Sequence, residues 1–138
     1  MNTIVDADAL VALFNSTDAL HDKAKEDLNK LKSLGYDTLI LPTTISEFAT
    51  VAGKEVGYKK TQTVVKALVN SGIIIVEITD SLTKQAIDVY LKHQSKKDTL
   101  FDCFIIAAAK NLGISYIFSY DNIYKKSMNG LSLVEDLS

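Results

Sequence analysis

Short apolar runs alternate along this chain with longer stretches whose hydrophobic positions recur every three or four residues. Ile4 and Val5 read as a buried strand ending at Asp6, and Ala9 to Phe14 as a short apolar helix. The stretch DALHDKAKEDLNKLKSLG sets Leu20, Ala24, Leu28 and Leu31 at helical spacing and stops at Gly35. TLIL, from Thr38 to Leu41, is a second apolar run, followed by a helix that starts just after Pro42 and is expected to close at Gly57. YKKTQTVVKALVNSG predicts another helix, IIIVEI from Ile73 to Ile78 a third strand, and DSLTKQAIDVYLKHQ a further amphipathic helix. DTLFDCFIIAAAKNLG is a nearly all-apolar helix ending at Gly113; SYIFSYD then predicts a fourth strand and LSLVE a fifth.

The strands are continuous apolar runs rather than in-and-out alternations, and helices separate them. That is the signature of a parallel sheet covered on both faces, an α/β fold with about four or five strands. Two helices in succession between Thr43 and Ser71 break the rhythm and predict a helical projection beside the sheet. There is no internal repeat, low-complexity stretch or linker, so residues 1–138 are expected to form a single domain.

Composition narrows the function classes. A hydrophobic content of 47% with 23% charged residues is ordinary for a chain that buries a core, and far from the composition of disorder. No apolar run approaches the ~20 residues of a membrane span. The single Cys103 excludes an intramolecular disulfide, and no charged leader opens the chain, so a cytoplasmic setting is expected. A net charge of −2 argues against a generally basic nucleic-acid coat, and all 15 basic residues are Lys, so no Arg fork is present for phosphate recognition.

Four acids fall where strands hand over to helices, the side on which open parallel sheets bind ligands. Asp6 ends the first strand, Glu47 falls in the opening turn of the helix after the second, Asp102 opens the apolar helix and Asp121 ends the fourth strand. Each has a local explanation. Asp6 or Asp8 would cap the first helix; Thr44 to Glu47 fits a capping box; Asp98 would cap the apolar helix with Asp102 favouring its positive end; Asp121 would start a turn. Yet Ser, Thr or Asn caps as well without mutual repulsion, whereas all four positions carry carboxylates. Like charges packed together imply a cation, and oxygen-only ligands suit Mg²⁺ or Mn²⁺ rather than Zn²⁺. His21 and His93 lie on amphipathic helices and are expected to be solvated; Cys103 is expected to be a packed thiol.

The segments IVDADALVALF, TTISEFATVA, FDCFIIAAAKNLG and FSYDNIYKK, in this order, resemble the PIN-domain nucleases, the family that includes the VapC-type ribonuclease toxins. The resemblance spans nearly the whole chain and maps the family's acids onto Asp6, Glu47, Asp102 and Asp121. Ser119 replaces the usual Thr, and Tyr124 stands where an aromatic residue, often Phe, follows. What it implies is a three-layer α/β/α fold and Mg²⁺- or Mn²⁺-dependent hydrolysis of RNA phosphodiester bonds, with those four acids as metal ligands and catalytic residues. Ser119 would position a carboxylate or the phosphate, and Asp98 would be a further acid at the pocket rim. Lys54, Lys59, Lys60, Lys96, Lys97, Lys125 and Lys126 flank these acids and are candidates for taking RNA phosphates; Tyr58, Tyr120 and Tyr124 are candidates for stacking on bases. A cognate antitoxin and a homodimer are the partners implied, with Val64, Val65, Leu68 and Val69 as an apolar face to spare. Two alternatives stand beside this. One is a catalytically idle PIN domain that binds RNA or protein. The other is a haloacid-dehalogenase-like phosphatase, in which Asp6 is the nucleophile and Asp8 the general acid; it has Leu10 where that family prefers Thr or Val, and no role for Glu47.

Overall fold

The computed structural model of the chain describes residues 1–93, 98–126 and 129–138. Its strands are β1 (Asn2–Val5), β2 (Asp37–Ile40), β3 (Ile74–Ile75), β4 (Tyr116–Phe118) and β5 (Ser132–Leu133). Its helices are α1 (Ala7–Phe14), α2 (His21–Ser33), α3 (Pro42–Val56), α4 (Tyr58–Val69), α5 (Asp80–Lys92) and α6 (Leu100–Leu112), with 3₁₀ turns at Asn122–Lys125 and Val134–Asp136. The sheet order is β3-β2-β1-β4-β5 and every neighbouring pair is parallel. The chain winds outward from β1 in one direction through β3, then crosses back to β4 on the other side of β1. The strand order therefore reverses between β1 and β4, which opens a crevice at their carboxyl ends.

Successive residues at the ends of β1, β2 and β4, and from Leu133 of β5 into the turn after it, feed opposite layers. Ile4, Leu39, Ile117 and Leu133 pack with α5 and α6, whereas Val5, Ile40, Phe118 and Val134 pack with α1, α2, α3 and α4. This period-two division produces the three layers that the apolar runs predict. Helix α6 lies deepest, with every residue from Asp102 to Ala109 buried, which is why it carries almost no polar face. Gly113 ends it at φ 65°, a left-handed conformation that glycine adopts without a Cβ penalty.

Several elements differ from the sequence expectation. The run Ile73 to Ile78 yields only the two-residue β3, and Ile74 and Ile75 are 49% and 44% exposed. The strand is at the sheet edge, pairing with β2 alone, so its apolar side chains are covered on one side only. Helix α3 begins at Pro42, with Leu41 as its cap. Thr44 is therefore inside the first turn, the Thr44–Glu47 capping box does not form, and Glu47 sits in the second turn. On α4, Leu68 is buried in the core and Val64 and Val65 are packed against it, which leaves Val69 as the exposed member of that face. The helix uses these positions to pack on α3. No helix among the described residues is long and apolar enough to cross a membrane.

Candidate active site

The crevice at the strand reversal is an acidic cavity of about 250 Å³ lined by Asp6, Ala7, Asp8, Val11, Glu47, Val51, Thr99, Asp102 and Asp121. Each acid arrives by a different route. Asp6 is the residue between β1 and α1, and its backbone N–H still donates to the Phe118 carbonyl at 3.0 Å, tying the end of β1 to β4. Asp8 lies in the first turn of α1. Glu47 projects from the second turn of α3, one turn before Val51. Asp102 is the third residue of α6, and Asp121 precedes the 3₁₀ turn after β4. The four acids chosen from the sequence thus share one cavity, and Asp8 makes a fifth carboxylate.

The local capping roles are also real. Asp6 Oδ1 accepts from the Ala7 N–H at 2.7 Å, and Asp121 Oδ1 accepts from the Ile123 N–H at 3.0 Å. At the start of α6 it is Thr99, not Asp98, that caps. The Thr99 hydroxyl accepts from the Asp102 N–H and the Asp102 carboxylate accepts from the Thr99 N–H, both at 3.3 Å, in a reciprocal capping box. Capping and cavity are therefore not alternatives. One carboxylate oxygen holds the helix end while the rest of the group faces its neighbours.

Hydroxyl groups cross-link the acids. Ser119 Oγ lies 2.9 Å from Asp6 Oδ2 and 3.2 Å from Asp8 Oδ2, and accepts from the Asp121 N–H at 3.1 Å. Tyr120 N–H donates to Asp8 Oδ2 at 2.9 Å. The Tyr124 hydroxyl lies 2.9 Å from Asp6 Oδ2 and 3.2 Å from Asp102 Oδ1. Asp8 Oδ1 is buried with no partner among the described residues.

Burial and like charge act together on these groups. Burial, then the charges of Asp8 and Asp102, pushes Asp6 up to about 8, against the hydrogen bonds from Tyr124 and Ala7. Burial, then Asp102, Asp8 and Asp121, raises Glu47 to about 7. Asp8 and Asp102 are also raised, chiefly by burial. Among the described residues no Lys lines the cavity to offset them. Among the described residues no three His, Cys, Asp or Glu side chains are already grouped as a metal site. The donor set nonetheless fits a hard divalent cation: it offers oxygen alone, carries an excess of negative charge, and includes one buried carboxylate oxygen that accepts from none of the described residues.

Other candidates sit elsewhere. Asp98 does not line the cavity; its Oδ2 is 2.7 Å from His93 Nδ1 and 3.4 Å from Lys126 Nζ. His93 is not solvated, since the chain leaves α5 in an extended conformation there and the side chain is only 1% exposed. His21 is likewise engaged, its Nδ1 2.8 Å from the Ala12 carbonyl. Cys103 is buried as expected, and burial followed by Asp102 and Asp98 raises its thiol to about 11. Tyr124 is fully buried and cannot stack on a base. Tyr120 packs edge-on against Phe118 and donates to Asp27 at 2.7 Å, so of the three tyrosines only Tyr58 presents an exposed ring.

Among the lysines, Lys60 lines a second cavity of about 620 Å³ that shares Val11 with the acidic one. Lys54 and Lys59 are exposed on α3 and α4, and Lys125 pairs with Asp136 at 3.2 Å. Lys96 and Lys97 lie outside the described residues.

Sequence reasoning weighed Asp8 only as a cap or a phosphatase acid, and Tyr124 only as a ring. For Asp8 the signal was its place two residues after Asp6, within the turn that leaves the strand. For the Tyr124 hydroxyl no sequence signal exists beyond the residue type.

Comparison with known proteins gives a consistent result. The family model described as PIN domain matches residues 3–127. No curated protein sequence matches the chain. Among solved structures the chain is similar to VapC20 of Mycobacterium tuberculosis, described as a sarcin-ricin loop cleaving toxin, with a TM-score of 0.78 at 18% identity over 89% of this chain and 92% of that one. It is also similar to VapBC2 of Rickettsia felis, solved bound to a promoter DNA fragment (TM-score 0.72, 15% identity, 96% and 97% coverage). A third is a toxin-antitoxin complex from Klebsiella pneumoniae (TM-score 0.65, 18% identity, 94% of each chain).

Proposed function

Because the chain belongs to the PIN domain family, we propose that it is a metal-dependent ribonuclease and the toxin of a toxin–antitoxin pair. The observation that carries this reading is the convergence of five carboxylates on one cavity at the strand reversal, with no cationic side chain of the described residues lining it. A fold of this size gains nothing in stability from so much like charge in one place. It gains a site.

In this reading Asp6, Asp102, Asp121 and Glu47 hold the cation, with the unpartnered Oδ1 of Asp8 as a further oxygen. Mg²⁺ or Mn²⁺ bound there supplies a water of lowered pKa and positive charge against the phosphate. The protein's own share is geometry. Ala7 N–H and Ser119 fix the two oxygens of Asp6, and the capping box with Thr99 fixes Asp102. Glu47, which burial and the neighbouring acids raise to about 7 in the metal-free chain, would give up its proton on binding the cation and is placed to orient a water beside it. Lys60, in the adjoining cavity, and the exposed Lys54 and Lys59 are placed to take flanking phosphates. RNA as substrate and an antitoxin as partner are supported by the toxins and complexes of similar fold; a homodimer is the assembly proposed. The phosphatase alternative leaves Glu47 without a role, yet Glu47 lines the same cavity as Asp6 and Asp8.

The purified protein is expected to cleave single-stranded RNA with Mg²⁺ or Mn²⁺ and to stop in EDTA. Asp6→Asn should lose at least about a hundredfold in rate, since even residues that only orient a ligand cost about 10–100-fold. Cleavage that persists in EDTA, or survives Asp6→Asn intact, would overturn the reading.

A further inference from the structure

We propose that Tyr124 is a positioning residue of this site, its hydroxyl holding Asp6 and Asp102 in the relative placement that a divalent cation needs; the inference rests on the metal-dependent reading above. The two acids come from separate elements, Asp6 from the end of β1 and Asp102 from the first turn of α6. The Tyr124 oxygen lies between them, 2.9 Å from Asp6 Oδ2 and 3.2 Å from Asp102 Oδ1.

The place of that oxygen is set by the core rather than by the acids. The ring is fully buried in the apolar cluster that includes Ile105 and Ile106 of α6. Its backbone is pinned as well: the Tyr124 carbonyl accepts from Leu131 N–H at 3.1 Å, and the Asn129 amide donates to the neighbouring Ile123 carbonyl at 2.7 Å. A buried phenol needs one acceptor, and one would satisfy it. Here a single proton faces two carboxylates, while Ser119 approaches the same Asp6 oxygen. A rigid donor shared between two acids limits how far either can swing. That is how outer partners tune a metal site without touching the ion.

The test is Mn²⁺ binding to the full chain without RNA, with free Mn²⁺ counted by its electron paramagnetic resonance signal. Tyr124→Phe keeps the ring and removes the hydroxyl, and should weaken binding about tenfold or more. Thr3→Val is the control. It removes another buried hydroxyl, which donates to the Tyr116 carbonyl at 2.8 Å, and should leave Mn²⁺ affinity unchanged. Binding by Tyr124→Phe as tight as wild type, or an equal loss in Thr3→Val, would overturn the proposal. A wild-type chain that binds no Mn²⁺ would instead overturn the metal-dependent reading beneath it. A second measurement needs no variant. Mn²⁺ binding should perturb the near-ultraviolet tyrosine absorption of the wild type, and saturation with no tyrosine difference band would also count against the role.

Discussion

Asp8 shows how one carboxylate changes meaning between sequence and structure. In the sequence it follows Asp6 at a spacing that suits a helix cap. In the fold Oδ2 accepts from the Tyr120 N–H and lies 3.2 Å from Ser119 Oγ, while Oδ1 is buried without a partner among the described residues. Asp8→Asn keeps an acceptor for the Tyr120 N–H and removes one of the crowded charges. The metal-free variant should therefore melt a few degrees higher than wild type and gain less from added Mg²⁺. A variant that melts lower and responds fully to Mg²⁺ would return Asp8 to a purely local role. Asp6, Glu47, Asp102 and Asp121 were legible because chain order and residue type locate them where strands end or the following helices begin. The partners of His93, Asp98 and the Tyr124 hydroxyl were not, because contacts between residues remote in sequence, or at a bend after a helix, leave no periodicity to read.

At the level of elements, the wound α/β order was legible because apolar runs and amphipathic helices alternate so regularly. Edge effects were not. The apolar content of IIIVEI gives no sign that β3 has a neighbour on one side only, and Pro42 moves the start of α3 so that Glu47 falls a turn deeper than the capping pattern implied. Helix α6 is where fold and site share a joint. Thr99 and Asp102 spell a capping box that the sequence contains but that Asp98, one residue earlier, obscured. Thr99→Ala removes the acceptor for the Asp102 N–H and should cost about 1 kcal/mol of stability in urea unfolding. It should also weaken metal binding, because the cap fixes where Asp102 begins. A loss of stability with unchanged metal response would separate the cap from the site.

For the molecule as a whole, the acids make stability depend on pH and on cations in a definite direction. Their folded values are raised, to about 8 for Asp6 and about 7 for Glu47, above those of the unfolded chain. Between roughly pH 4 and pH 8 the unfolded carboxylates have already released protons that the folded ones retain. The unfolded state then binds fewer protons, so metal-free stability falls as pH rises through this window. A bound divalent cation offsets that loss. With a dissociation constant near ~1 mM, about 10 mM Mg²⁺ adds ~1.4 kcal/mol, or about 5 °C in melting temperature.

The central claim, that these acids form a cation site and are not merely a set of helix caps, is tested most directly by melting wild type and Asp102→Asn in EDTA and in about 10 mM Mg²⁺ near neutral pH. Asn retains an oxygen to accept from the Thr99 N–H, so the substitution removes charge and leaves most of the cap. In EDTA the variant is predicted to melt higher than wild type, and in Mg²⁺ its gain should be clearly smaller than the wild-type gain. If Asp102 serves only the helix end, losing its charge costs a few tenths to ~1 kcal/mol with or without metal. A variant that melts lower in EDTA, with equal Mg²⁺ shifts in both proteins, would contradict the account.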